Sequence, residues 1–233
     1  MLAGIFTKPE NLKVYWKEFL HQCVEIGFRS LPIVSIISVF LGAVSTLQTS
    51  YQLKSPLIPK STIAKVVRDS VILEFSPTLI SIVLAGVIGS RIAGELGNMR
   101  VSEQIDALEM MGINTKSYLI LPKMTAALLM VPCLVIISIM LAIFGGREVG
   151  SLLGIIATHT FDAGLRSKLN FSDICFSLSK AFTFAFIIST VPAYFGYYVV
   201  GGSINIGRAS TKAVIVSCIL ILIFDYVLAS LLL

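Results

Sequence analysis

Long stretches without a charged residue constrain the fold of this chain more than any other feature. Ser30 to Leu53 is uncharged over 24 residues, and Met124 to Gly146 is uncharged over 23. As an α-helix, 24 residues reach about 36 Å, which exceeds a bilayer hydrocarbon core of roughly 30 Å. The whole chain is 56% hydrophobic and 13% charged, against roughly 25% charged in soluble domains. The sequence therefore predicts an all-α integral membrane protein.

About five membrane-spanning helices are expected within one transmembrane domain, residues 1–233. Their predicted ranges are 30–53, 66–92, 118–146, 179–200 and 213–233. Pro77 and Pro132 lie inside the second and third spans and should kink them. The sequence from Gly145 to Glu148 is expected to break or end the third span. Residues 149–161 are too few to cross alone, so they form either a continuation or an interfacial segment, and the structure of 147–178 is left open.

An amphipathic helix is predicted over residues 10–28, ahead of the first span. Its apolar stripe consists of Leu12, Trp16, Phe19, Cys23 and Ile26. This pattern suits a helix lying in the membrane surface, although a core-facing helix of a soluble domain would look the same. The charged stretch from Lys8 to Lys17 stands where a signal peptide would have its apolar region, so we expect no cleavable signal peptide.

A polar island separates the second and third spans. Residues 91–123 carry eight of the chain's 31 charges, namely Arg91, Glu95, Arg100, Glu103, Asp106, Glu109, Lys116 and Lys123. Within the island, Val101, Ile105, Leu108 and either Met111 or Gly112 form one narrow apolar stripe. We predict a short amphipathic helix at about 99–111, with Gly112 as its stop.

Three charged features lie in or beside the spans. Glu74 either lines a polar cavity or, if the second span begins at Phe75, sits among the lipid headgroups. Asp225 interrupts the fifth span, as a functional group or as a structural contact to a neighbouring helix. Arg91 and Glu95 are four residues apart and are most simply an ion pair on one helix.

The sequence offers no sign of a catalytic or metal centre. It has no GxxxxGK[ST], HExxH or GxSxG motif, so it supplies no Walker-type ATPase site of its own. Its four cysteines form no CxxC pair and its two histidines are isolated, so no metal site is predicted. Its basic residues are scattered rather than interleaved with aromatics, which argues against nucleic-acid binding. We expect a transporter component rather than an enzyme.

Charge counting barely decides the orientation. Five spans put the two ends on opposite sides, and an N-terminus inside gives ten Lys and Arg inside against eight outside.

The polar island resembles a known family. Its sequence from Gly94 to Gly112, GELGNMRVSEQIDALEMMG, is similar to that of MlaE permeases, the membrane subunits of bacterial lipid ABC transporters. The likeness continues through Leu121-Pro122, Gly145-Gly146, Phe195-Gly196-Tyr197, the segment 207–211 and Phe224-Asp225-Tyr226, and covers nearly the whole chain.

The resemblance implies a homodimeric permease with an interfacial elbow helix and five spans in the bacterial cytoplasmic membrane. It implies a cytoplasmic ATPase dimer that binds the ATP, a periplasmic MCE-domain protein, and phospholipid moved between the inner and outer membranes. The N-terminus and the polar island would be cytoplasmic and the C-terminus periplasmic. No cofactor is implied for this chain.

The resemblance also assigns roles to residues. The island from Met99 to Met111 matches the coupling helix that docks in the ATPase. The coupling residues it implies are Arg100, Glu103, Ile105, Asp106, Leu108, Glu109, Met110 and Met111. Glu74, Pro77 and Asp225 match positions near the lipid cavity.

Two departures from the family stand out. Leu73 replaces the arginine that often precedes the glutamate, and Arg68 could only partly substitute for it. Tyr198 replaces the usual aspartate after Phe-Gly-Tyr.

An ion-coupled secondary carrier using Glu74 and Asp225 is the alternative function, and a membrane-embedded lipid enzyme is a third. The lipid species and the direction of transport are not encoded in any motif.

Overall fold

The protein is described by a computed structural model, which covers residues 12–53, 59–167 and 170–232. Within these ranges the regular structure is helical throughout. The helices are α1 (Leu12–Ile26), α2 (Leu31–Gln52), α3 (Ser61–Val101), α4 (Gln104–Met110), α5 (Thr115–Leu152), α6 (Thr158–Arg166), α7 (Phe171–Tyr197) and α8 (Ser203–Leu232). A 3₁₀ turn, Phe28–Ser30, links α1 to α2.

Five helical segments in the described part of the chain are long and apolar enough to cross a membrane. Each overlaps one of the five predicted spans, and the prediction of an all-α integral membrane protein is confirmed. Several ends differ from the predicted ones. The second segment starts at Ser61 rather than 66 and continues to Val101, and the fourth runs from Phe171 to Tyr197 rather than from 179 to 200.

The third span does not break at its glycine pair, so that expectation was wrong. Helix α5 continues to Leu152, and the following residues lead into the separate helix α6. A Cβ on Gly145 would overlap the carbonyl oxygen of Val39 and lie 2.9 Å from its Cα. The glycine therefore serves close packing of α5 on α2, in the way small residues do in membrane helices.

Helix α3 contains two stretches of π-helix, Val71–Leu79 and Ala85–Gly89. Pro77 lies in the first stretch. Proline has no N–H to donate and its ring crowds the preceding turn, and a widened turn accommodates both effects. Pro132, by contrast, lies inside α5, which is one α-helix from Thr115 to Leu152.

The chain divides into two compact units, the first formed by residues 1–30, 81–132 and 182–233. Within the first unit, α8 packs along the end of α3, and the approach is close. A Cβ on Gly97 would lie 3.1 Å from the Ile206 side chain, and one on Gly196 would lie 2.7 Å from the Ala93 carbonyl oxygen. Small residues thus let α7 and α8 approach α3.

The second unit comprises residues 31–80 and 133–181. Its core is an apolar cluster formed by Ile63, Ala64, Val67, Val71, Ala142, Ile156 and Phe161. Arg68 is buried beside this cluster and donates to the carbonyl oxygens of Leu165 and Ser167, both at 2.6 Å. The Leu165 carbonyl lies in the last turn of α6 and the Ser167 carbonyl directly follows the helix, and a cation stabilises carbonyls at a helix C-terminus.

Candidate functional site

The short helix α4 is set apart from α3 by a sharp turn. The predicted helix at 99–111 is therefore divided, since residues 99–101 complete α3 and α4 begins at Gln104. Glu103 adopts a left-handed conformation with φ of 58°, which is uncommon for a residue other than glycine. Arg100 Nη1 bridges the turn to Asp106 Oδ1 at 2.5 Å. The turn re-aims the chain, and the ion pair holds α4 against the end of α3.

Glycine ends α4 as the sequence predicts. Gly112 has φ of +81°, its N–H donates to the carbonyl of Glu109, and the N–H of Ile113 donates to the carbonyl of Leu108. This pair of hydrogen bonds around a left-handed residue is the Schellman motif. It closes the helix and returns the chain towards α5.

The apolar residues of α4 divide into a buried and an exposed set. Ile105 is fully buried, so it seats the helix on the protein rather than contacting a partner. Leu108 is half-buried, whereas Met110 and Met111 are 90% and 66% exposed. Two adjacent exposed methionines on a short helix between two spans form a flexible apolar surface of the kind that docks against other proteins.

Glu109 joins α4 to two spans of the same unit. Its Oε1 accepts hydrogen bonds from Tyr197 Oη at 2.8 Å and from Thr115 Oγ1 at 3.0 Å. Tyr197 Oη and Thr115 Oγ1 are themselves 2.8 Å apart. These bonds, the Tyr197 bond foremost, hold the pKa of the Glu109 carboxyl below its ordinary value. Glu109 thus anchors α4 to the start of α5 and the end of α7.

Arg91 and Glu95 do not pair with each other, which corrects the expected ion pair within one helix. Arg91 binds the carboxylate and the backbone carbonyl of Glu25 in α1. Glu95 accepts from Lys123 Nζ of α5 at 2.7 Å, and Lys123 is 3% exposed. Arg91 and Glu95 therefore connect α3 to α1 and α5 in the first unit. The pair with Glu95 also gives the buried Lys123 the counter-charge that a buried cation needs.

Glu74 lies in the second unit, within the π-helical stretch that also contains the buried Pro77. Its side chain is 53% exposed, and Lys180 Nζ approaches its Oε2 at 3.4 Å. Lys180 is fully buried, donates to the Leu73 carbonyl at 3.3 Å, and lies 4.7 Å from the centre of the Phe176 ring. A cation from α7 therefore stands beside Glu74, where the preceding residue supplies none.

Asp225 belongs to the first unit, on α8, and is 9% exposed. The structure thus assigns Glu74 and Pro77 to one unit and Asp225, with the α4 residues, to the other. A common cavity for Glu74, Pro77 and Asp225 stays a prediction. Among the described residues, no group of three or more His, Cys, Asp or Glu could hold a metal ion.

Sequence reasoning missed two residues that the structure brings to these places. The sequence pattern identifies Tyr197 only as part of a Phe-Gly-Tyr motif and does not single out Lys180, which lies at the start of the predicted fourth span. Each is a polar group at the end or beginning of an apolar helix segment, and this position is the only signal that the sequence carries for either residue.

Known sequences match this chain over nearly its whole length. The profile of a family described as Permease MlaE matches residues 19–231. The chain is 40% identical over 218 residues to a probable ABC transporter permease protein of Rickettsia bellii, covering 94% of this chain and 84% of that one. It is 38% identical over 231 residues to a probable ABC transporter permease protein of Rickettsia typhi, covering 99% and 87%.

A plant protein is also similar. The chain is 32% identical over 219 residues to the protein TRIGALACTOSYLDIACYLGLYCEROL 1, chloroplastic, of Arabidopsis thaliana. The match covers 94% of this chain and 62% of the plant protein.

Proposed function

The chain belongs to the MlaE permease family, and on that premise we propose that it moves phospholipids between the inner and outer membranes of a bacterium. As an ABC transporter permease it would be driven by a separate ATPase subunit, to which ATP binds. The chain itself would contribute the path across the membrane and the lever that couples this path to ATP hydrolysis.

The observation that carries the proposal is the seating and exposure of α4. Ile105 is buried beneath the helix and Glu109 is bonded to Tyr197 and Thr115, while Met110 and Met111 face outwards. An ATPase that gripped the methionines would pull on a helix already fastened to α5 and α7. Because packed helices move as rigid bodies, closure of the ATPases would reach two spans through these contacts. Arg100 and Asp106 would keep the α3–α4 turn stiff.

A lipid cargo is supported from two directions. The Arabidopsis relative is named after trigalactosyldiacylglycerol, a diacylglycerol lipid. In this chain, Glu74 is 53% exposed within apolar helices, beside the fully buried Lys180. The exposed carboxylate would offer a partner to the cationic group of a zwitterionic headgroup, whereas a purely apolar cargo would not need it.

The remaining parts of the proposal come from the family. The partners are a second copy of this chain, a cytoplasmic ATPase dimer and a periplasmic MCE-domain protein. The N-terminus and α4 would be cytoplasmic and the C-terminus periplasmic, in the inner membrane. Helix α8 is compatible with a homodimer because most of its apolar surface is exposed within one copy.

Reconstitution tests the proposal. The complex co-purified with this chain is placed in vesicles containing a fluorescent phospholipid, and transfer to acceptor vesicles is followed with and without ATP. We expect transfer that requires ATP and an attached ATPase subunit. Transfer driven by a proton gradient without ATP would instead support the ion-coupled carrier.

A further inference from the structure

A cavity of about 320 Å³ lies in the first unit where α7 ends and α8 begins. Its lining includes Phe195, Tyr198, Asn205, Arg208 and Lys212. Asn205, Arg208 and Lys212 follow one another at intervals of three and four residues on α8, so they share one face of that helix. The Asn205 side chain donates to the Val200 carbonyl at 2.9 Å, which fixes the loop at the mouth of the cavity.

Two cations line this cavity. Among the residues that the structure describes, Arg208 and Lys212 line it and no acidic residue does. Neither cation belongs to an ion pair within the described ranges 12–53, 59–167 and 170–232. By contrast, each of five cations that lie between helices or at their turns is paired with a carboxylate, namely Arg68, Arg91, Arg100, Lys123 and Lys180. Two like charges one turn apart repel each other, so an anionic ligand would stabilise this arrangement.

The aromatic residues indicate the level in the membrane at which the cavity lies. Tyr194, Phe195 and Tyr198 form a cluster of tilted and edge-on rings at the end of α7, with Tyr194 and Tyr198 about half exposed. Tyrosines concentrate at the boundary between hydrocarbon and water. A ligand between these rings and the two cations would have an apolar part on one side and an anionic part on the other.

We propose that this cavity binds the phosphate-bearing headgroup of an anionic phospholipid that stays with the permease as a resident lipid. Arg208 and Lys212 contact the phosphate, the Asn205 amide holds the loop, and Phe195 and Tyr198 pack against the start of the acyl chains. Basic pockets between membrane helices bind anionic headgroups in this way. The site requires only that the chain spans a membrane, so it stands or falls separately from the transport of a cargo.

The test uses the full-length chain purified in detergent, with binding followed by thermophoresis. The probes are dioctanoyl-phosphatidylglycerol, dioctanoyl-phosphatidylcholine and inorganic phosphate. The variants are R208Q/K212Q, the charge-conserving R208K/K212R, and K60Q/K65Q, which removes two exposed lysines from α3 and the turn before it. The charge-conserving variant separates loss of charge from failure to fold.

We expect the wild type and K60Q/K65Q to bind phosphatidylglycerol more tightly than phosphatidylcholine. R208Q/K212Q should bind phosphatidylglycerol about tenfold more weakly or worse, and R208K/K212R should retain most of the affinity. Equal binding by R208Q/K212Q and wild type, or an equal loss in K60Q/K65Q, would overturn the site. Competition by inorganic phosphate at the concentrations at which phosphatidylglycerol binds would assign the cavity to free phosphate and overturn the lipid.

Discussion

Tyr197 Oη donates to Glu109 Oε1 at 2.8 Å, and this one hydrogen bond joins the short helix α4 to the end of the fourth span. The two residues are 88 positions apart in the chain. Thr115 contacts both, so the start of the third span belongs to the same junction. If a subunit outside the membrane moved α4, these contacts would transmit the movement to the third and fourth spans.

Removing the Tyr197 hydroxyl should weaken coupling without removing the helix. In Tyr197→Phe the ring still fills its place, but Glu109, whose side chain is exposed, loses a hydrogen bond worth about 1 kcal/mol. We expect the ATPase subunit to co-purify, with ATP-driven lipid transfer reduced several-fold per ATP hydrolysed. The measurement is the ratio of transfer to hydrolysis in reconstituted vesicles.

Tyr194→Phe is the matched control, because it removes a hydroxyl from an exposed tyrosine one turn away on α7. It should leave the transfer-to-hydrolysis ratio at the wild-type value. An unchanged ratio in Tyr197→Phe, or an equal drop in Tyr194→Phe, would show that the Glu109 junction does not carry coupling.

The depressed pKa of Glu109 predicts how the junction responds to acid. Its ordinary value is near 4.5, and the Tyr197 hydrogen bond is the largest cause of the lowering. Because the folded pKa lies below the unfolded one, the stabilising contribution is complete above the unfolded value. It is lost as the pH falls through the folded value. The junction should therefore be intact at neutral pH and should weaken only when the pH falls below the ordinary pKa of a glutamate carboxyl.

A carboxyl-carbon NMR titration of the purified chain checks this directly. We expect the midpoint of Glu109 below the ordinary value of a glutamate carboxyl, and an upward shift in Tyr197→Phe. A Glu109 midpoint at the ordinary value in both proteins would mean that the bond does not persist in solution.

The spans and the polar island could be predicted from sequence because both depend on local composition. Charge-free runs of 23 and 24 residues admit one physical explanation, and a left-handed glycine such as Gly112 ends a helix wherever it occurs. The left-handed turn at Glu103 could not be predicted, since glutamate has no local preference for it. It is imposed by the packing of α3 and α4, and it shortened the predicted helix at its start.

The exposed methionines of α4 should carry docking to the ATPase. Met110→Asp or Met111→Asp places a charge in the apolar contact and should weaken co-purification of the ATPase tenfold or more, as for residues central to an interface. Leu108→Asp and Glu109→Lys should have the same effect, in the latter case by unseating α4. Membrane insertion should be unaffected in all four variants.

Leu153→Asp is the control for these substitutions, because Leu153 is an exposed apolar residue outside α5 and α6. A pull-down that recovers as much ATPase with Met110→Asp as with Leu153→Asp would remove α4 from the interface.

Glu74 and Lys180 should be energetically coupled. Lys180 is buried and lies 3.4 Å from the Glu74 carboxylate. Each single substitution therefore removes the interaction between the two side chains, and the double substitution removes the same interaction only once. For Glu74→Gln, Lys180→Met and the double variant, we expect a coupling energy of about 1 kcal/mol in thermal or denaturant unfolding. Effects that add to within about 0.3 kcal/mol would mean that the two residues do not interact.

Gly145 should tolerate no side chain. In Gly145→Ala the Cβ would overlap the Val39 backbone, which outweighs the gain of about 1 kcal/mol in helix propensity. The melting temperature should fall. At Gly86 a Cβ would meet nothing within 4 Å, so Gly86→Ala should leave the melting temperature unchanged or raise it. Equal effects at the two glycines would contradict the close packing of α2 on α5.

The ion-pair partners illustrate what sequence could not supply. Spacing alone suggests that Arg91 pairs with Glu95, whereas the folded chain offers each a partner from another helix, Glu25 and Lys123. Those partners lie 66 and 28 residues away in sequence. Local patterns find which residues are charged near a membrane, but only the packing of helices decides which charge meets which.

Site-specific photo-crosslinking from Met110 tests the central claim most directly. A photoreactive residue replaces Met110 in the full-length chain, cells are irradiated, and the crosslinked partner is identified by mass spectrometry. If α4 is the cytoplasmic helix that docks against the ATPase of an ATP-driven permease, the expected product is a covalent adduct with a nucleotide-binding ATPase subunit. An adduct only with periplasmic proteins, or labelling of this position by a membrane-impermeant reagent added outside intact cells, would contradict it.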